Sequence, residues 1–450
     1  MTDLSTIIKA YDVRGVVGEQ LDTAVVAAIG AALARLLHTE GADRVVIGHD
    51  MRDSSPALVR AFAGGVTAQG LDVVHIGLAS TDMLYFASGT WDAPGAMFTA
   101  SHNPARYNGI KLCRAGAAPI GQDTGLAAIR EAVEAGVPQG PGGGTESAAP
   151  NSEVLADYAA YLRGLVDLTS VRPLRVVVDA GNGMAGHTVP AVLGAPLEVV
   201  PLYFELDGTF PHHEANPLDP ANLVDLQRAV VAEGADLGLA FDGDADRCFV
   251  VDERGEPVSP SAITALVATR ELARYPGATV IHNLITSRAV PEIVTERGGT
   301  PVRTRVGHSF IKQTMAETGA VFGGEHSAHY YFRDFWRADS GMLAALHVLA
   351  ALGGTVEPLS QLMAAYERYA ASGEINSIVA DAAERIAAVR THWADAECDE
   401  LDGLTVTLAD GSWFNLRPSN TEPLLRLNVE AADAAAVAAL RDEVLAVVRE

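Results

Sequence analysis

The sequence predicts three similar α/β domains with mixed sheets followed by a smaller α+β C-terminal domain. At 450 residues the chain exceeds what one core serves, and roughly 150 residues per domain suggests about three or four units. Short apolar, β-branched runs at residues 44–48, 71–77, 175–178 and 278–281 alternate with helical patterns, the mark of α/β layers. A weak repeat completes the case. GAMFTASHNPARYNGIKL, ADLGLAFDGDADRCFVV and GAVFGGEHSAHYYF each run from an apolar strand through a polar loop into another strand. Their spacing of roughly 80 to 140 residues is domain-sized, so each domain is expected to present one loop at the end of a central strand.

Along the chain, the units are expected at 1–148, 149–252, 253–368 and 369–450. The stretch 136–152, GVPQGPGGGTESAAPNS, holds too many Gly, Pro and small polar residues for a regular element and marks the first boundary. The last unit has a helix, then WFNLRPSNTEPLLRLNV between the turn-forming Asp410-Gly411 and a terminal amphipathic helix, a small α+β pattern.

Composition narrows the function. A formal net charge of -25 repels nucleic acid and anionic lipid, which demand a basic surface. There is no basic-then-apolar leader and no apolar run near the roughly 20 residues that cross a bilayer, so a cytoplasmic protein without a membrane partner is expected. Cys113, Cys248 and Cys398 are scattered and lack metal-type spacing, which predicts neither disulfides nor zinc. An anionic substrate would need basic groups gathered locally. Of the 32 basic residues only Lys9, Lys111 and Lys312 are lysines, so each is a candidate for a task that guanidinium cannot perform.

Four loops could carry chemistry. In TASHNP, Ser101 stands just past a strand beside His102, either as a nucleophile or as a capping serine. In DGDADR, Asp242, Asp244 and Asp246 alternate and can converge on one hard cation, magnesium or calcium. An EF-hand would need Gly where Arg247 stands, and LGLAF before the loop reads as a buried strand; the arginine suggests an anion beside the metal. GEHSAH offers Glu325, Ser327 and two imidazoles, groups suited to sugar hydroxyls. Arg417 to Glu422, RPSNTE, followed by Arg426, outlines a phosphate clamp. GNGMAG at 181–186 fits the dinucleotide fingerprint and makes a dehydrogenase a rival. Asp179 would then face a pyrophosphate, and the metal loop would be unexplained, so these glycines read as a tight strand-to-helix turn.

In series, TASHNP, DGDADR, GEHSAH and RPSNTEP resemble the four loops of the α-D-phosphohexomutase superfamily, and KAYDVRG at 9–15 resembles its N-terminal motif. The likeness spans the chain and favours the bacterial phosphomannomutase and phosphoglucomutase branch. It implies a phosphoserine at Ser101, magnesium held by Asp242, Asp244, Asp246 and the phosphoserine oxygen, and Arg247 beside the phosphate. It further implies that Tyr11, Glu325 and Ser327 contact the sugar and that Arg417, Ser419, Asn420, Thr421 and Arg426 hold the non-reacting phosphate. Arg14, His102, Lys111 and His308 would line the reaction centre, and the fourth domain would be a mobile lid.

The implied reaction is an intramolecular phosphoryl transfer between mannose 6-phosphate and mannose 1-phosphate, and also between the glucose phosphates, by way of hexose 1,6-bisphosphate. Lys111, with basicity lowered toward neutrality, or His102 would handle the proton. Lys9 and Lys312 would be phosphate-facing or solvated. The glucosamine branch usually has glutamine where His326 stands and glycine where Ala328 stands. Phosphoglucomutase and phosphoglucosamine mutase remain alternatives. So do a haloacid-dehalogenase-type mutase with an aspartate nucleophile and a non-catalytic sugar-phosphate-binding protein. Small-molecule sugar phosphates are the expected partners, and a monomer or weak dimer the expected state.

Overall fold

A computed structural model describes residues 3–418 and 424–450, apart from the side chain of His308. Among the described residues the strands form four sheets. In the first, the order is Val13–Val16, Tyr107–Arg114, Gly95–Phe98, Arg44–His49, Asp72–Leu78 and Glu146–Ala148, with Ala118–Pro119 paired to Tyr107–Arg114. The second runs Pro257–Val258, Cys248–Asp252, Leu237–Phe241, Leu174–Asp179, Leu197–Leu202, and the third Thr300–Thr304, Thr279–Asn283, Phe322–Gly324, Tyr330–Phe332, Ala338–Asp339.

These three sheets share one device that accounts for the repeat. Gly95–Phe98 is parallel to Arg44–His49 but antiparallel to the next strand in the chain, Tyr107–Arg114. Leu237–Phe241 stands likewise between Leu174–Asp179 and Cys248–Asp252, and Phe322–Gly324 between Thr279–Asn283 and Tyr330–Phe332. Each polar loop therefore leaves the carboxyl end of a strand where its sheet changes from parallel to antiparallel. The loops are thus presented at the carboxyl ends of central strands, where binding residues are commonly carried. The GNGMAG segment is the strand-to-helix turn expected of it, between Leu174–Asp179 and the helix Ala185–Val192, with Gly181 and Asn182 at φ of +51° and +58°.

Local chemistry fixes the helices that flank these sheets. Asp22, Ser80 and Ser340 each accept a backbone N–H at the start of Thr23–Thr39, Thr81–Thr90 and Gly341–Gly353, satisfying donors that the helix leaves unpaired. Two of these caps meet at one buried carboxylate: Asp82 accepts from Ser80 Oγ at 2.5 Å, Ser340 Oγ at 2.7 Å and Tyr158 hydroxyl at 2.7 Å. The helices Thr81–Thr90, Asn151–Leu165 and Gly341–Gly353 are thereby tied at one point. One apolar core runs through residues of all three units, from Val46 through Val177 and Leu239 to Met342, while the first unit carries another around Ile29, Phe62 and Phe98.

The fourth sheet is antiparallel throughout, in the order Ala370–Ile378, Leu424–Ala431, Trp413–Pro418, Leu404–Thr407, Glu397–Asp399. Helices Ala382–His392 and Ala434–Val448 cover it, and its core, around Trp393, Phe414, Leu427 and Val444, is separate from those of the first three units. Polar contacts join it to the third unit: Val306 N–H donates to Asp402 Oδ2 at 3.1 Å, Arg303 pairs with Asp399, and Arg288 lies 4.0 Å over the Tyr369 ring.

One expectation needs correction here. The Gly- and Pro-rich stretch 136–152 is not free of regular structure, because Glu146–Ala148 adds a parallel edge strand to Asp72–Leu78 and a helix begins at Asn151. All three strand residues are exposed, so no apolar alternation betrays them.

Candidate active site

The first and second loops meet face to face. Ser101 lies in the left-handed region at φ +50°, and its N–H donates to Thr99 Oγ1 at 2.9 Å. Its Oγ donates to Asp242 Oδ2 at 2.7 Å and receives Arg247 Nη2 at 3.1 Å. Arg247 also donates through Nε to Asp242 Oδ2 at 2.9 Å and contacts His102 Nδ1. The approach is so close that a Cβ at Gly243 would fall 2.5 Å from the Ser101 carbonyl oxygen, which requires glycine there.

A buried arginine that the sequence reading overlooked shapes the Ser101 loop. Arg52 is 1% exposed; Nη2 donates to the carbonyls of Ser101 at 2.9 Å and Asn103 at 2.6 Å, and Nη1 to those of Pro104 at 2.9 Å and Tyr107 at 3.0 Å. Its Nε is anchored to Asp50 Oδ2 at 3.1 Å. A polar Asp-x-Arg directly after the strand Arg44–His49, at the same sheet end as the other loops, was the signal available.

Asp242, Asp244 and Asp246 are fully buried and bring one oxygen each within 4.8 Å of one another. Thr81 Oγ1 donates to Asp244 Oδ2 at 2.6 Å, and Lys111 Nζ reaches Asp244 Oδ2 at 2.7 Å and Asp246 Oδ2 at 2.5 Å. Burial and the neighbouring Asp244 push Asp246 up to about 7. Asp244 Oδ1 and Asp246 Oδ1 are buried without a hydrogen-bond partner among the described residues. Orphaned oxygens on crowded carboxylates fit a hard divalent cation such as magnesium.

Two lysine expectations are overturned. Lys111 is not lowered toward neutrality: burial alone would depress it, but Asp244 and Asp246 hold the ammonium well above its ordinary value. Lys312 is neither solvated nor phosphate-facing; it is 3% exposed, paired with Asp339 at 2.5 Å and 4.3 Å from the Tyr85 ring centroid. Lys9 does line the cleft.

That cleft, of about 680 Å³, is bordered by Lys9, Tyr11, Arg14, Ser101, Lys111 and His329 among others. Arg14 donates to Asn103 Oδ1 and pairs with Asp12 Oδ2, both at 2.5 Å. His102 is held well below its usual basicity by burial and then by Arg247 and Arg14, so its neutral ring accepts from Arg247 at Nδ1.

The third loop reaches the same region through an isolated bridge between Arg247 and His329. Glu325 is buried; it accepts from Tyr331 hydroxyl at 2.7 Å, Asn283 Nδ2 at 3.2 Å and Gly307 N–H at 3.2 Å, partners that sequence reading did not anticipate. Ser327 Oγ lies 2.9 Å from His329 Nδ1. Ala328 sits at φ +63°, the left-handed region that favours the glycine it replaces. Burial, together with Arg417, His329 and Arg426, pushes His326 down to about 3, so the third loop feels the fourth unit's arginines. Arg417 and Arg426 are direct cross-strand partners. Ser419, Asn420 and Thr421 lie outside the described residues, as does the His308 side chain.

Comparison with known proteins agrees with this geometry. Residues 5–139, 156–255 and 259–369 match the phosphoglucomutase/phosphomannomutase alpha/beta/alpha domains I, II and III, and residues 374–447 match that family's C-terminal domain. The chain is 42% identical over 445 residues to a phosphomannomutase of Salmonella typhimurium, covering 96% of each chain. It is 43% identical over 444 residues to a protein of Xanthomonas campestris named for phosphohexose mutases, covering 97% of each. A crystal structure of a phosphoglucomutase/phosphomannomutase family protein from Burkholderia thailandensis superposes with a TM-score of 0.89 at 34% identity, over 100% of this chain and 98% of that one. With four family domains in order and relatives above 40% identity along nearly the whole chain, the chain belongs to the phosphoglucomutase/phosphomannomutase family of the α-D-phosphohexomutase superfamily and is a phosphohexomutase-type enzyme.

Proposed function

We propose that the chain is a cytoplasmic phosphomannomutase that interconverts mannose 6-phosphate and mannose 1-phosphate, also accepts the glucose phosphates, and works through a phosphoserine at Ser101 and hexose 1,6-bisphosphate. The observation that carries this reading is the contact of Ser101 Oγ with Asp242 Oδ2 at 2.7 Å and Arg247 Nη2 at 3.1 Å, a nucleophile set between a carboxylate cluster and a guanidinium. The Salmonella relative's name favours mannose.

Phosphoryl transfer depends on positioning and charge neutralisation more than on covalent chemistry. Asp242, Asp244 and Asp246 would hold magnesium, which when bound neutralises phosphoryl oxygens. Arg52 fixes the loop that presents Ser101, and Arg247 and Lys111 bring positive charge to the group in transit. Tyr11, Glu325 and Ser327 contact the sugar, whereas Arg417, Ser419, Asn420, Thr421 and Arg426 hold the phosphate that is not reacting. Because the bisphosphate must turn and return its other phosphate to Ser101, the clamp reads phosphate and not the ring. The unit 369–450, with its separate core, acts as the lid over units 1–148, 149–252 and 253–368.

Intact mass of purified protein, before and after incubation with a hexose 1,6-bisphosphate, tests the reading. One added phosphoryl group that vanishes in Ser101→Ala is expected; a phosphoryl group persisting in that variant would transfer the nucleophile to an aspartate. Parallel assays with mannose, glucose and glucosamine 1-phosphates assign the sugar.

A further inference from the structure

The two clamp arginines are not waiting with open hands. Arg417 and Arg426 face each other across the strand pair Trp413–Pro418 and Leu424–Ala431, a juxtaposition of like charges that destabilises a sheet unless something neutralises it. Glu374 does so, with Oε2 3.1 Å from Arg417 Nη2 and Oε1 3.3 Å from Arg426 Nη1. One carboxylate thus gives one oxygen to each guanidinium, the division of contacts that two oxygens of a phosphate would make.

The backbone is arranged to place that carboxylate. The strand Ala370–Ile378 breaks register between Ala371 and Glu374, Gly373 takes φ +67°, and Ser372 Oγ accepts the Val429 N–H at 3.0 Å. An irregularity of this kind re-aims a side chain. One further observation points to a ligand at the pair: Arg417 Nε is buried with no hydrogen-bond partner among the described residues.

We propose that Glu374 is an internal substitute for the substrate's non-reacting phosphate: it occupies Arg417 and Arg426 when the clamp is empty and competes with the phosphate, so that the bisphosphate can let go and turn around. This rests on the clamp assignment made above. When the phosphate leaves, the carboxylate returns to both guanidinium groups. Retention is weakened and release is eased by the same group.

The experiment is equilibrium binding of mannose 1-phosphate to the full chain carrying Ser101→Ala, which cannot turn over, with and without Glu374→Gln. The expected result is binding tighter by about 2- to 5-fold, the scale of one partly exposed ion pair, with a steeper loss of affinity as salt rises. Glu374→Asp, which keeps the charge but shortens its reach, should fall between; a cooperative melt confirms that each variant folds, with Glu374→Gln melting somewhat earlier because the like charges lose their counter-charge. In the enzyme with Ser101 intact, Glu374→Gln should lower both KM and kcat, because the intermediate is held longer. Unchanged or weaker binding in Glu374→Gln overturns the proposal and makes the carboxylate a mere support for the arginines. Arg417→Gln separates the two layers. If it weakens binding while Glu374→Gln fails to tighten it, only the competition idea falls; if neither variant moves the affinity, the clamp assignment falls with it.

Discussion

The Ser101 centre and the Arg417–Arg426 pair, both proposed to handle phosphate, are built on opposite plans. At the centre, Ser101 is 4% exposed, the three aspartates are fully buried, and one arginine grips four carbonyls of the loop. At the pair, Glu374 and Arg426 keep 26% and 28% of their side-chain surface open, and the sheet beneath them has its own core. Bond-making atoms demand tight geometry, since a 1 Å misplacement can cost about 100-fold in rate. The proposed clamp, which would accept either end of a turning bisphosphate, is served by charge and adjustable contacts.

Substitutions can break that contrast, beginning with the largest effect. Ser101→Ala should lower turnover by several orders of magnitude with folding intact, because the proposed phosphoryl carrier is gone; steady-state assays and a thermal melt check it. Arg52→Lys comes next, since an ammonium cannot reproduce a planar fork that bonds four carbonyls. Turnover should fall about 100-fold while KM stays near its normal value, and phosphorylation of Ser101 by bisphosphate should slow in parallel. A variant that melts earlier but keeps full kcat would reduce Arg52 to a packing residue.

At the other plan's end, Arg417→Lys should raise KM about tenfold with kcat within a few-fold, because a point charge still attracts phosphate but loses fork geometry. An equal fall in kcat would mean that the clamp is as geometrically demanding as the centre, and the contrast would collapse. The smallest effect belongs to the sugar loop. Ala328→Gly relieves a left-handed backbone, partly offset by a freer unfolded chain, and should stabilise the fold by at most about 1 kcal/mol in a denaturant titration.

The sequence made some of this legible because the repeated architecture writes itself locally. A buried strand running into a polar loop is visible three times over, and three alternate aspartates in one loop mark a candidate cation site that the fold then brings together. What escaped notice depends on partners distant in the chain. Asp244 and Asp246 keep Lys111 charged from 133 and 135 residues away, and Lys312 is buried by pairing with Asp339 and packing on Tyr85 from the first unit. Arg52 binds backbone carbonyls, which every residue carries and which leave no letter to read. Glu146–Ala148 was invisible because an exposed edge strand needs hydrogen bonds but no apolar face.

The grip of Arg52 on the Ser101 loop bears on how such a motif could be moved between proteins. The path of residues 101–107 is recorded largely in a side chain 49 positions upstream of Ser101, itself steered by Asp50. Grafting TASHNP onto another strand end would transplant the letters and leave the shape behind. The smallest portable piece is the pair of neighbouring strand ends, Asp50 and Arg52 on one and Ser101 on the other, carried together on the sheet that sets their spacing.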